Sequence, residues 1–388
     1  MKIDIVNNDN ELTVKLEGRL DTNTVNDLES KMPSLEGTQK IVFDIESLDY
    51  ISSAGLRFIL KCKKTVNDTK VINANTNVYE VFNVTGFSQM MEVEKGLRRI
   101  TVDDSELIGE GFYGKIYRLD PETIVKVYKI PDALEMIKSE TELAKKAFVM
   151  GIPTAIPYDI VKVGDLYGAV FELLNAEPFE KNFDNEEYLD DFCKKSASIL
   201  KDIHQKEIKE GELPSKKKVT IDQLKELESC FSKETYDKLF KLLESVPDTN
   251  TLLHSDFHFK NVMKEKDELL IIDMATLSVG HPIFEFAAMY AAYEAFSCVD
   301  KENTDKFFGL PLDITTKLFN KTFRYYYNDK TEEELKDMEY KLSIIAYLKV
   351  LLMRSKYANM AYGREKEEVE FCIKYLTDAA NKLDTLEF

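Results

Sequence analysis

The sequence predicts a small α/β domain followed by a larger α+β domain of two lobes, the first β-rich and the second mostly helical. Three observations carry that expectation. Over roughly residues 1–98, apolar strand-like runs alternate with helical patterns. At Gly109–Gly114 a glycine-rich segment sits between two strand-like runs. From about residue 183 onward, the chain is charged and helical in pattern.

Length and composition set the frame. A chain of 388 residues has room for two or three domains at about 100–200 residues each. Its 44% hydrophobic and 31% charged residues are an ordinary globular mixture, neither collagen-like nor disordered. The 52 basic and 70 acidic residues leave a net charge of −18, which argues against nucleic acid as the main partner. The acidity is uneven. The first hundred residues carry 13 basic and 15 acidic side chains, and the remainder 39 and 55. Five dispersed cysteines (Cys62, Cys193, Cys230, Cys298, Cys372) form no Cys-x-x-Cys pair. They argue against a disulfide framework or a zinc site and fit a reducing cytoplasm. The N-terminal MKIDIVNNDNELTV lacks the apolar core of a signal peptide, and no run of about 18 apolar residues suggests a membrane span. A cytoplasmic protein is expected.

The first hundred residues read in order as follows. Residues 2–6 and 11–17 are two short strands with Asn7–Asn10 as the turn, and Gly18 ends the second strand. Asp21 or Thr22 caps a helix running to about Met32. Ile41–Ile45 is an apolar strand leading through Ile51-Ser52-Ser53 into a helix with an apolar face at Leu56, Phe58, Ile59 and Leu60. Lys70–Ala74 is a strand, Val78–Val84 a short helix broken by Gly86, and Met91–Val93 closes the sheet. A serine at the 52–53 turn has its hydroxyl near a helix N-terminus. That position suits a plain cap and equally suits an added phosphate.

The run Phe43–Leu56 (FDIESLDYISSAGL), with Gly18-Arg19-Leu20-Asp21-Thr22, resembles the signature of STAS domains of the anti-sigma-factor antagonist type. The resemblance covers residues 1–98. It implies a protein partner and makes Ser53 the candidate phosphosite, a serine that a partner kinase modifies in that family. Two positions depart from the pattern: Ser52 replaces the usual Asp, and Ala54 a frequent Ser.

Residues 99–105 are polar and read as a linker. The next module then divides at the hinge into 106–174 and 175–388. Gly109, Gly111 and Gly114 form a Gly-x-Gly-x-x-Gly pattern. A dinucleotide fold would follow it with a helix. Here Lys115–Leu119, the turn Asp120-Pro121-Glu122 and Thr123–Tyr128 read instead as a strand hairpin, the context of a kinase phosphate flap. Lys126 is a charge inside an apolar strand, which is costly unless partnered. The kinase reading partners it with ATP phosphates and a helix glutamate. On the following helix, about 133–150, Glu140 keeps register with Leu143, Ala144 and Ala147, and Glu142 stays open as the alternative. Val170–Leu174 follows a hairpin as the hinge, with backbone groups of Glu172 to Leu174 set to meet adenine.

The strongest pattern is His254-Ser255-Asp256-Phe257-His258-Phe259-Lys260-Asn261, followed by the apolar strand Leu269–Ile272 and then Asp273. Phosphoryl transfer needs a carboxylate at the acceptor hydroxyl, for which Asp256 fits. It also needs Mg²⁺, for which Asn261 and Asp273 supply hard oxygen donors. A metal site built on His254 and His258 is the local rival.

Ser255 between His and Asp, Asp273-Met274-Ala275, and Gly280-His281-Pro282-Ile283-Phe284-Glu285-Phe286-Ala287 make residues 104–388 similar to the aminoglycoside phosphotransferase/choline kinase family. The resemblance implies a bilobal protein-kinase-like fold and transfer of the γ-phosphate of Mg-ATP to a small-molecule hydroxyl. It makes Asp256 the base, Asn261 and Asp273 the Mg²⁺ ligands and Lys126 the phosphate anchor. His281 and Glu285 replace two usual aspartates, which bears on how the loop is supported. Tyr290, Tyr293 and Tyr325–Tyr327 are candidates to stack on a cation, or plain helix core. Glu285 and Glu294 are candidates to meet the amino groups of a cationic acceptor. Two other readings stand beside this one. One is a regulatory switch whose kinase domain phosphorylates a protein serine, Ser53 included, while the STAS module binds a signalling partner. The other is a non-catalytic nucleotide-binding scaffold.

Overall fold

The computed structural model describes every residue but 9, 112, 180, 181, 267, 357–364 and 388; Phe112 of the expected glycine loop therefore lies outside the described residues. The chain forms two compact units. The first comprises Met1–Leu119, Val125–Ala133 and Asp159–Val170, and the second Asp120–Ile124, Leu134–Tyr158 and Phe171–Phe388.

The first unit opens with β1 (Lys2–Asn8), β2 (Glu11–Leu20), α1 (Val25–Lys31), β3 (Lys40–Ile51), α2 (Ser53–Thr65), β4 (Asp68–Ala74), α3 (Thr76–Val84) and β5 (Val93–Lys95). The five strands form one sheet in sequence order. β1 and β2 pair antiparallel; the remaining neighbours pair parallel, as strands joined through helices do. In β2 burial alternates, so Leu12, Val14 and Leu16 face the core. Phe43, Ile45, Ile59 and Phe82 complete it.

Two expectations are corrected here. Gly18 does not end β2. It sits inside the strand at φ 94°, where the register with β3 shifts, so it forms a bulge and pairing continues to Leu20. Neither Asp21 nor Thr22 caps the helix. Asp21 Oδ1 accepts from Asn23 N at 3.0 Å and Thr24 Oγ1 accepts from Asp21 N at 2.9 Å, building a turn that delays α1 to Val25.

A six-stranded sheet follows, from β6 (Arg98–Ile100), β7 (Leu107–Glu110), β8 (Gly114–Arg118), β9 (Thr123–Tyr128), β10 (Pro157–Val163) and β11 (Leu166–Glu172). Its order is β6-β10-β11-β9-β8-β7, with β6 parallel to β10. The expected 99–105 linker thus begins inside a strand. Ile100 and Val102 pack with Val125, Val127, Val161 and Val170 in a small apolar core, which holds that polar segment to the sheet.

The second unit holds α4 (Leu134–Val149), β12 (Glu177–Pro178), α5 (Glu186–His204), α6 (Lys216–Glu226) and α7 (Lys233–Ser245). These are followed by β13 (Leu252–Leu253), β14 (Val262–Glu265), β15 (Glu268–Ile271) and β16 (Ser278–Val279). α8 (Ile283–Tyr293), α9 (Asn303–Phe308), α10 (Leu312–Tyr326), α11 (Glu332–Lys356) and α12 (Glu365–Ala380) complete it. α8 is buried on nearly every face, from Ile283 through Tyr293, as a central helix must be. Phe286 packs on Phe323 and Tyr326 of α10, with ring centroids 5.1 and 4.8 Å away. β13 and β16 form a two-stranded ribbon, and β12, β14 and β15 a three-stranded antiparallel sheet in that order. Among the described residues no helix is long and apolar enough to cross a membrane.

Candidate active site

In the first unit, the Gly109, Gly111 and Gly114 segment forms the hairpin between β7 and β8. Gly111 N donates to the Gly114 carbonyl at 2.9 Å. The glycines serve different needs. A Cβ on Gly114 would run into the Val127 carbonyl oxygen of β9, so only glycine lets the hairpin lie on that strand. A Cβ on Gly111 would meet nothing within 4 Å, which leaves that backbone open to an approaching group. Lys129 donates to Glu110 Oε1 at 2.7 Å and to the Gly111 carbonyl at 3.2 Å, tying the loop to the end of β9. Lys126 stands half-buried in β9, its Nζ 5.1 Å from the centroid of the Tyr128 ring. Ser53 is the first residue of α2 and is exposed. Its Oγ accepts from Arg57 at 3.2 Å, while Ser52 is the actual cap, accepting from Ala54 N at 3.2 Å.

In the second unit, Glu140 lies on the buried face of α4 with Ile137, Thr141, Ala144 and Ala147; Glu142 is on the exposed face. At the hinge, Glu172 N donates to Ile156 O at 2.9 Å and Leu173 N to Glu122 O at 2.7 Å. Those two amides are occupied. Among the described residues the N–H of Leu174 has no backbone partner.

The 254–261 loop is built on the β13–β16 ribbon. Just past β13, Ser255 takes φ 67°, a left-handed turn that only surrounding contacts hold for a serine. Those contacts come from Glu285 on α8, which has no exposure to solvent. Its carboxylate accepts from His254 N at 2.7 Å and from Ser255 N at 2.9 and 3.1 Å. Burial works to raise the Glu285 carboxyl, but His204, at 3.6 Å, His254 and the Ser255 amide outweigh it and hold it below the ordinary range. Ser255 Oγ meets Ser278 Oγ at 2.7 Å, and Thr276 Oγ1 donates to the His254 carbonyl at 2.7 Å. Glu285 is therefore spent on the loop's backbone and does not meet amino groups of an acceptor, which corrects that expectation. His281, in place of a usual aspartate, accepts from Ile283 N through Nδ1 at 3.2 Å at the start of α8.

This scaffold presents Asp256, whose side chain is 35% exposed. Lys349 of α11 donates to Asp256 Oδ1 at 3.1 Å, and His258 Nε2 lies 3.7 Å from Oδ2. Burial works to raise the Asp256 carboxyl, yet Lys349, His258 and His254 hold it well below the usual carboxylate range. Burial pushes His258 down to about 4, leaving it neutral near pH 7. Asn261 Nδ2 donates to the Asp256 carbonyl at 3.0 Å, which turns the amide oxygen away. Ile272 N donates to the Asn261 carbonyl at 2.9 Å, joining the loop to the segment just past β15, where Asp273 is left-handed at φ 65°. One short stretch of fold thus brings Asp256, Asn261 and Asp273 together. His254 Nε2 faces the Ile272 carbonyl at 3.2 Å. Among the described residues no group of three or more His, Cys, Asp or Glu is placed to hold a metal ion.

The tyrosines are structural here. Tyr293 OH accepts from Phe259 N at 2.7 Å, Tyr326 OH meets His204 Nδ1 at 2.8 Å and Tyr325 OH donates to Asp190 at 2.6 Å. Sequence reasoning missed Lys349 and Lys216. The signal for Lys349 was present, a lysine inside the apolar run Tyr347-Leu348-Lys349-Val350-Leu351, the same anomaly that singled out Lys126.

Comparisons with known proteins divide the chain near residue 100. A model of the phosphotransferase enzyme family matches residues 105–306, and a model of the STAS domain matches residues 2–100. Over 102 residues the chain is 26% identical to the anti-sigma-B factor antagonist of Staphylococcus aureus, a match covering 25% of this chain and 94% of that protein. Among solved structures, a thermostable mutant of the aminoglycoside phosphotransferase APH(4)-Ia, in ternary complex with AMP-PNP and hygromycin B, aligns with a TM-score of 0.50 at 12% identity. That alignment covers 72% of this chain and 93% of the other. The apo form of that mutant aligns with the same score and identity over 78% and 98%. At such identity the likeness is one of fold.

Proposed function

The chain belongs to the phosphotransferase enzyme family, a kinase with an alcohol group as acceptor and an N-terminal STAS domain, and from that premise we propose how it works. It moves the γ-phosphate of ATP to a hydroxyl of a small molecule. The observation that carries this reading is the Asp256, Asn261 and Asp273 constellation, held by the buried Glu285. Asp256 accepts the acceptor's hydroxyl proton as the acceptor oxygen bonds to the γ-phosphorus. The bond from that phosphorus to the β,γ-bridging oxygen breaks, and ADP leaves. A carboxylate held so low takes the proton only as the new bond forms; before that it orients the hydroxyl.

The donor set fits Mg²⁺. Asn261 has its amide nitrogen engaged and its oxygen available, and Asp273 adds a carboxylate, both hard oxygen donors. When bound, the ion neutralises charge on the triphosphate. Lys126 anchors the phosphates, with Glu140 its proposed partner because Glu140 and not Glu142 is on the buried face. Gly109, Gly111 and Gly114 cover the phosphates, and Glu172 to Leu174 meet adenine, with the Leu174 amide as donor.

The second reading rests on exposure of the Ser53 hydroxyl at the start of α2. In it the STAS domain (1–98) binds a signalling partner, and Ser53 is a phosphosite, including one for the chain's own kinase domain. Incubation with Mg²⁺ and γ-labelled ATP separates the readings, using amino sugars, choline-like amines and sugars as acceptors and Asp256→Asn alongside. Label in small molecules that disappears in the variant is expected. Label confined to protein, in the Ser53 peptide, would replace the first reading with the second.

A further inference from the structure

We infer that the acceptor carries an anionic group, a carboxylate or phosphate, beside its reacting hydroxyl, and that Lys349 and Lys216 hold it. The inference rests on the phosphotransfer reading of Asp256. It reverses the charge that Glu285 and Glu294 suggested for the acceptor from the sequence.

Lys349 Nζ sits 3.1 Å from Asp256 Oδ1, and both side chains are about one-third exposed (33% and 35%), so the pair faces accessible space. Lys216, the first residue of α6, is built onto the same ribbon as the loop. Ser215 bridges Val279, and Val279 N donates to Pro214 O at 2.9 Å. The Lys216 stem lies against Gly280, where an added Cβ would come within 3.2 Å of Lys216 Cβ. Burial first and the like charge of Lys349 second push Lys216 down to about 8, with Glu285 and Asp256 opposing. The two amines therefore feel each other and the same two carboxylates. Glu285 is already committed to His254 N, Ser255 N and His204. With Glu285 spent on amides and Asp273 assigned to Mg²⁺, Lys349 faces Asp256, and Lys216 starts α6 on the ribbon that carries the loop, inside a module that carries 39 basic against 55 acidic residues.

A cationic acceptor would meet the Lys349 ammonium at the hydroxyl's own base. An anionic one pairs with Lys349 and Lys216 and draws Lys349 away from Oδ1, leaving that oxygen to accept the hydroxyl proton.

The test uses the full chain with Mg²⁺ and γ-labelled ATP and four hexoses differing in charge: glucosamine, glucose, gluconate and glucose 6-phosphate. Asp256→Asn, Lys349→Met, Lys349→Arg and Lys216→Met are run beside the unaltered protein. Label is expected on gluconate or glucose 6-phosphate at least about 10-fold faster than on glucose, with glucosamine slowest. Which anion takes it separates carboxylate from phosphate. Lys349→Met is expected to raise the KM for that anion by about 10- to 100-fold with the KM for ATP unchanged, and Lys349→Arg to recover most of the loss. Faster, Asp256-dependent labelling of glucosamine or glucose overturns the anionic acceptor and leaves phosphotransfer standing. A raised KM for ATP in Lys349→Met assigns that lysine to the γ-phosphate and overturns its role here. Label on none of the four, with ATP still bound, overturns this inference; if the amines and sugars of the wider panel also stay unlabelled, the phosphotransfer reading falls with it. The four-hexose comparison uses the unaltered protein and stands even where a variant fails to fold.

Discussion

Two serine-bearing turns, Ser52–Ser53 in the STAS domain and Ser255–Asp256 in the phosphotransferase domain, each follow a strand and are held in opposite ways. Ser52 caps α2 through an amide two residues on, and Ser53 accepts from Arg57, four residues on. Ser255 depends on Glu285 thirty residues away and on Ser278, and Asp256 on Lys349, ninety-three residues away. A turn held by its own neighbours presents a group that can be modified without disturbing the fold. A turn held from three remote elements presents a group fixed in place, and every one of its supports is a point of failure.

The comparison breaks most sharply at Asp256. Asp256→Asn is expected to lower phosphate transfer by about 10²–10⁴-fold with ATP affinity largely retained, measured as turnover against nucleotide titration. Retained turnover would remove the proton acceptor from the mechanism.

Glu285→Gln comes next. It places an amide where a fully buried carboxylate accepts two backbone N–H groups, and should destabilise the protein by about 2–4 kcal/mol in urea unfolding while lowering turnover. An unchanged unfolding midpoint would mean that the loop does not need Glu285. In the STAS domain, Gly55→Ala should cost about 1–3 kcal/mol, because a Cβ there meets Leu20 Cγ at 2.7 Å and Ile51 Cγ1 at 2.9 Å.

Acid sharpens the contrast further. Burial, with His204 adding to it, holds His281 down to about 4, so the folded state binds fewer protons than the unfolded one between pH about 4 and 6.5. Stability is full above that window and falls as pH drops through it. His281→Gln should flatten that part of a denaturation-midpoint profile. Glu294 acts with the opposite sign. Burial and then Glu339 push it up to about 7, so it costs stability as pH rises from the ordinary carboxyl range to about 7, and Glu294→Gln should stabilise the protein above pH 7.

The smallest effects are the two serines. Ser52→Ala should cost about 1 kcal/mol through the lost cap, and Ser53→Ala less than about 0.5 kcal/mol by thermal unfolding. Equal losses would erase the distinction between cap and exposed hydroxyl.

Much of both turns was legible in the sequence because their signals are short-range. Alternation placed β2, the apolar run Ile41–Ile45 placed the first part of β3, an apolar face placed α2, and the spacing from His254 to Asp273 brought out Asp256, Asn261 and Asp273 together. The misreadings came where a residue's job depends on something distant. Gly18 looked like a strand end because a bulge is visible only against β3. Glu285 looked like a ligand for an amine because nothing local tells a carboxylate that faces solvent from one that faces amides. Lys349 passed as one charge on a long helix.

By itself the sequence determined the two modules, the strand–helix order of the first, the glycine hairpin and the residue types needed for phosphate transfer, since periodicity, turn chemistry and motif spacing act within a few residues. Only the tertiary structure decided that β6 joins the second sheet, that Glu285 holds the loop and that Lys349 stands beside Asp256. Those outcomes turn on burial and on charges brought together across thirty to ninety residues, where the energy of a contact is set by what packs around it.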